Sequence, residues 1–127
     1  MVIIHIYKKE RGVGMPQTMQ SLIERYVSEI HKIYGSHVKQ IILYGSYARG
    51  DFRDNSDIDL MVLVIDMSED EIRSAEEALC NMAFDIELEE SIHISAIVKD
   101  EIQFEMWNDT LPFYGNVKRE GIEVSTE

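Results

Sequence analysis

The stretch Leu43–Leu60, LYGSYARGDFRDNSDIDL, constrains the fold more than any other part of this chain. Gly45-Ser46 is followed by ten residues and then by Asp57-Ile58-Asp59. Apolar runs flank it, Ile41-Ile42-Leu43 in front and Leu60-Met61-Val62-Leu63-Val64 behind, and both have the composition of strands buried on two faces. Side chains two apart in a strand share a face and sit roughly 7 Å apart along it. Asp57 and Asp59 therefore present two carboxylates side by side, while Ile58 and Leu60 face the other way. Two bare carboxylates repel, and a hard divalent cation between them removes the repulsion. Mg²⁺ is typically held by one or two carboxylates plus substrate phosphates. Gly45 lets the backbone turn sharply and approach a phosphate, and the N–H groups of a helix start at Ser46 point at such an anion. Arg49, about one helical turn on, has the forked geometry that pairs with phosphate.

The rest of the chain supplies a scaffold for that stretch. Val2–Tyr7 is β-rich and reads as an edge strand, or as part of an extension covering residues 1–14, with the domain proper over 15–124. Pro16 suits the first turn of a helix. Leu22, Ile23, Tyr26, Val27, Ile30, Ile33 and Tyr34 then recur at three and four, and Gly35 closes the helix. Val38–Tyr44 and Asp57–Ile65 are the two central strands. Ser68 and Glu71 form a capping box for a helix running to about Met82, and Cys80 on it reads as a packed core thiol. Ile92–Val98 is a third strand, preceded by Glu87, Glu89 and Glu90, which read as an acidic surface loop. Asp100 and Gln103 suggest a second cap, with Phe104 and Trp107 docking a short helix on the sheet. Pro112 opens a last helix that Gly121 ends, and Ser125–Glu127 reads as a fraying tail. Alternating helices and strands predict an α/β (α+β) fold, a mixed three- to four-stranded sheet with helices mainly on one face.

At 127 residues this is one domain with one core. The formal net charge of −12 argues against direct nucleic-acid binding, which needs a basic surface, and suits a basic partner. One cysteine excludes an intrachain disulfide and a cysteine-built zinc site. No run spans a membrane, and the N-terminus has apolar residues before basic ones, the reverse of a signal peptide, so a cytoplasmic protein is expected.

GSYARGDFRDNSDIDL resembles the signature of the DNA polymerase beta-like nucleotidyltransferase superfamily: G-S, ten residues, D-x-D. LPFYGNVKREGIEV at Leu111–Val124 is similar to the ending of many minimal nucleotidyltransferases (MNT) of the MntA-like antitoxin type. The resemblance implies the nucleotidyltransferase fold, with Asp57 and Asp59 as catalytic metal ligands for Mg²⁺, and Gly45, Ser46 and Arg49 as nucleotide-binding residues for ATP. Active members usually carry a third carboxylate on the third strand. This chain has none there: Ser95 stands at the matching position, and His93, on the same face, reads as a base, a ligand or a hydrogen-bonded structural residue. Arg53 reads equally as a triphosphate contact or as a partner of Asp51 or Asp54, and Tyr47 as core packing.

The function implied is transfer of AMP from ATP to a hydroxyl, with pyrophosphate released. By the same resemblance the acceptor is a tyrosine of a HEPN-type toxin, the chain being the antitoxin of a type VII toxin–antitoxin pair. Two alternatives stay open: an antitoxin that acts by binding alone, motivated by the missing acid, and a small-molecule, aminoglycoside-like nucleotidyltransferase whose acceptor pocket is completed by a homo-oligomer or a partner chain.

Overall fold

The structure, a computed structural model, describes residues 4–6 and 17–126. The elements in chain order are β1 (Ile4–Ile6), α1 (Gln17–Tyr34), β2 (Val38–Tyr44), α2 (Ser46–Arg49), β3 (Ile58–Val64), α3 (Glu69–Glu90), β4 (Ile94–Asp100), α4 (Glu101–Trp107), α5 (Pro112–Glu120) and β5 (Ile122–Thr126). The expected helical start at Pro16 lies outside the described residues. The strands lie in the order β1-β5-β2-β3-β4. All neighbours are antiparallel except β3 and β4, which are parallel. A parallel pair needs a crossover, and α3 provides it.

The two faces of the sheet are covered unequally. Ile58, Leu60 and Val62 of β3 and Ile94 and Val98 of β4 join Ile23, Tyr26, Val27 and Ile30 of α1 and Leu79 and Ile86 of α3 in the large core cluster. The alternate residues Met61 and Leu63 turn to the opposite face, where Ile42, Phe104 of α4 and Val117 of α5 meet them in a smaller cluster. β3 is thus buried on both sides, as its continuous apolar run predicts. The two long helices lie on one face, and the two short ones partly cover the other.

Local signals explain the element ends. Ser68 accepts from the Glu71 N–H at 3.2 Å while Glu71 Oε1 accepts from the Ser68 N–H at 2.9 Å, so the expected capping box is formed. Asp100 likewise accepts from the Gln103 N–H. Pro112 stands in the first turn of α5. A side chain on Gly121 would overlap Ile42 and the Val117 carbonyl, so only glycine lets the chain reverse there against β2.

That reversal corrects one expectation. Ser125 and Thr126, expected to fray with Glu127, instead belong to strand β5, paired with β2 through Ile42↔Glu123 and Leu43↔Ile122 and with β1 through Ile4↔Thr126, His5↔Ser125 and Ile6↔Val124; Glu127 lies outside the described residues. Ile122 and Val124 are buried and Glu123 is exposed. Four further expectations change. α3 continues past Met82 to Glu90, because Ala83 and Ile86 extend its buried stripe, so Glu87, Glu89 and Glu90 occupy its last turn rather than a loop. Cys80 is exposed, one 100° step round from buried Leu79. The third strand is shifted to Ile94–Asp100. Phe104 docks α4 at 2% exposure, but Trp107 remains 46% exposed.

Leu63 is fully buried under α4 and α5. Leu63→Ala is expected to cost about 2–5 kcal/mol of stability, through lost transfer energy and the cavity left behind. Ser68→Ala is expected to cost only about 1 kcal/mol, through the lost cap. Urea unfolding midpoints at unchanged slope check both values and their order.

Candidate active site

Gly45 ends β2 with φ 75° and ψ −154°, a region essentially restricted to glycine. α2 follows immediately. The Ala48 and Arg49 N–H groups bond back to the Gly45 carbonyl at 3.1 and 3.0 Å, and Gly50, left-handed at φ 87°, closes the turn through the Ser46 carbonyl. Tyr47 and Ala48 are buried and anchor the turn. Tyr47 stacks on Phe52 with centroids 4.6 Å apart, which gives it the core role expected.

Antiparallel register places Tyr44 opposite Asp59, so the Gly45 turn lies against the first residues of β3. The approach is close: a Cβ on Gly45 would collide with the Asp59 carboxylate. The absence of a side chain is what lets backbone and acid share one small volume. Asp59 is half-buried and Asp57 is exposed, on the face opposite the buried Ile58 and Leu60. Burial, and then the charge of Asp57, push the Asp59 carboxyl above its ordinary range; His93 and Arg49 pull the other way. All three neighbours thus lie within electrostatic reach of Asp59. The Tyr44 phenol is driven up to about 12 by burial and by the Asp59 charge.

The expected residues fall around this pair as follows. Ser95 is the register partner of Asp59 across the parallel β3–β4 ladder, so a neutral hydroxyl stands where a third carboxylate would complete an acidic set. The His93 carbonyl accepts from the Ile58 N–H at 2.9 Å, and this bond fastens the entrance of β4 between the two acids. The His93 ring donates from Nδ1 to Glu87 Oε2 at 3.1 Å. That bond holds its imidazolium above the ordinary range, although partial burial opposes the shift and the charges of Asp57 and Asp59 add to it. Glu87 precedes the third strand in sequence, where it reads as a residue that reaches in or as part of an acidic surface loop. Its position at the end of α3 brings it to His93, and the overlooked signal was the continuing helical period past Met82. Arg49 pairs with Asp51 at 3.2 Å and with Glu120 of α5 at 3.5 Å. Asp51 thus pairs with Arg49 rather than with Arg53. Arg53 instead donates its backbone N–H to Ser56 Oγ, which shapes the loop before Asp57.

Two carboxylates, hard oxygen donors with mutual repulsion to relieve, suit a hard divalent cation rather than a soft one. Among the described residues no group of three or more His, Cys, Asp or Glu side chains is placed to hold a metal. The fit is therefore to an ion that takes its remaining ligands from phosphate and water.

Gly45→Ala carries both a backbone penalty of about 1–3 kcal/mol and a collision with Asp59. The variant is expected to remain folded, to melt at a lower temperature, and to lose Mg²⁺-dependent nucleotide binding. Circular dichroism melting and calorimetric titration with ATP check this.

The nucleotidyltransferase domain family matches residues 21–122. A protein of Methanocaldococcus jannaschii named "Putative protein adenylyltransferase" is 35% identical over 104 residues, covering 80% of this chain and 93% of the relative. A second protein of that organism with the same name is 39% identical over 46 residues, 36% of this chain and 46% of the relative. A crystal structure of a toxin–antitoxin MntA–HpeT mutant shares the fold at a TM-score of 0.50 and 17% identity, covering 78% of this chain and 69% of that one. Among the described residues no helix is long and apolar enough to cross a membrane. With the family's domain spanning 21–122 and a relative this similar along nearly its whole length, the chain belongs to the nucleotidyltransferase domain family and is a nucleotidyltransferase.

Proposed function

We propose that the chain transfers AMP from ATP to a hydroxyl of a protein, with release of pyrophosphate, and that the acceptor is a tyrosine of a HEPN-type toxin for which this chain is the cytoplasmic antitoxin. The observation that supports the reading is the close approach of the Gly45 turn to the Asp59 carboxylate, next to Asp57. The names of the two relatives, each a protein adenylyltransferase, support AMP as the group moved. The toxin–antitoxin assembly that shares the fold motivates the partner, and the net charge of −12 suits a basic one.

In this reading Asp57 and Asp59 hold Mg²⁺, which when bound neutralises phosphate charge. The first N–H groups of α2, at Ser46 and Tyr47, have no intrahelical partner and face the β- and γ-phosphates. Arg49 exchanges Asp51 and Glu120 for triphosphate oxygens. The acceptor oxygen attacks the α-phosphorus in line with the departing pyrophosphate, and positioning and electrostatics supply most of the rate. Ser95, standing where a third acid would serve, motivates a second reading: an antitoxin that neutralises its partner by contact alone.

The test incubates the chain with labelled ATP, Mg²⁺ and the product of the gene beside its own. Label is expected on a tyrosine of that product. Asp57→Asn with Asp59→Asn is expected to lower the rate at least about 100-fold, the several kcal/mol of charge stabilisation lost with the ion. No label from an active preparation contradicts transfer, and full neutralisation of the toxin by the doubly substituted chain favours contact alone.

A further inference from the structure

β4 carries a neutral hydroxyl, Ser95, and no acid at the register position of Asp59. We propose that His93 is the general base of the transfer reaction and that Glu87 is its positioning residue, an assignment that rests on the nucleotidyltransferase reading above.

The geometry carries the proposal. His93 is two residues before Ser95, the register partner of Asp59, and its carbonyl is bound to the N–H of Ile58, the residue between the two acids. The ring therefore stands at the rim of the acidic pair rather than elsewhere on the sheet. Its side chain is 51% exposed, so an acceptor entering from solvent can reach it. Glu87, an acceptor when ionised, accepts a hydrogen bond from the Nδ1–H and thereby leaves the ring's lone pair on Nε2. A carboxylate that fixes one imidazole tautomer and stabilises the imidazolium formed later is the arrangement in which histidine works as a base. The groups that face the ring are Glu87 from α3 and Asp57 and Asp59 from β3, and of these Glu87 is the one hydrogen-bonded to it.

In the step, the acceptor O–H bond breaks and its proton passes to His93 Nε2. The oxygen forms a bond to the α-phosphorus, and the bond from that phosphorus to the bridging oxygen breaks. Pyrophosphate leaves with the electron pair. His93 then gives its proton to solvent.

The test measures pyrophosphate release from ATP, with Mg²⁺ present and tyrosine amide or water as acceptor. His93→Ala is expected to lower kcat about 100- to 10,000-fold, the usual range for a lost general base. ATP affinity is expected to be unchanged, and added imidazole is expected to restore part of the rate. Glu87→Gln is expected to lower kcat less. Its ring ¹⁵N signals are expected to shift from one tautomer, protonated at Nδ1, to a mixture, a change that loss of mere packing would not produce. His93→Ala with wild-type kcat, or with a loss confined to ATP affinity and no imidazole rescue, overturns the assignment of His93 and leaves the nucleotidyltransferase reading standing. Unchanged ring signals in Glu87→Gln overturn the role of Glu87. A wild-type chain that binds ATP but releases no pyrophosphate with either acceptor or with the product of the neighbouring gene overturns both the transfer reading and this one.

Discussion

Everything distinctive about this structure depends on backbone meeting carboxylate at Gly45 and Asp59. Hydrogen in place of a side chain lets the end of β2 pass so close to Asp59 that a Cβ there would meet the carboxylate. The same residue holds a backbone conformation that side chains avoid. Glycine adopts that conformation freely, which suits a turn where backbone must approach another group closely.

The fold pins that contact from several sides. β3 is buried on both faces, so the strand that carries Asp59 cannot shift register without exposing an entire apolar set. β2 is held between β3 and β5, and Gly121 sets where α5 turns into β5 against Ile42. The parallel β3–β4 pair brings Ser95 beside Asp59, and the crossover helix that this pairing requires carries Glu87 in its last turn, within reach of His93. The groups around the acids are thus brought there by topology, although Glu87 and Asp59 lie far apart in the chain.

Much of this was legible in the residues. The apolar runs around the motif identify β2 and β3 because strands buried on both faces leave no alternation to misread. The capping box at Ser68 and the proline at 112 locate helix starts through chemistry that is local. What stayed hidden depended on partners distant in sequence. Ile122-Glu123-Val124 alternates as a strand should, but five residues at a chain end gain meaning only beside β2. The far half of α3 was masked by exposed Phe84 and Leu88, which blur the period that Ala83 and Ile86 continue. Trp107 reads as an anchor by size alone, yet only Phe104 points at the sheet. For the site, spacing pointed to the acidic pair and the turn, and the family resemblance pointed to Ser95 as the third-strand position. The partners of Arg49 and the link from Glu87 to His93 required the fold.

The most direct measurement of the central claim is paramagnetic broadening by Mn²⁺, used in place of Mg²⁺ with ATP, in the amide spectrum of the labelled chain. Broadening centred on Gly45, Ser46, Asp57, Asp59 and Ser95, and present only when metal and nucleotide are added together, is the result expected if the ion bridges the two acids and the triphosphate. Broadening centred instead on the acidic outer face of α3 around Glu76 and Glu77, with the Gly45 turn unaffected, would contradict the account.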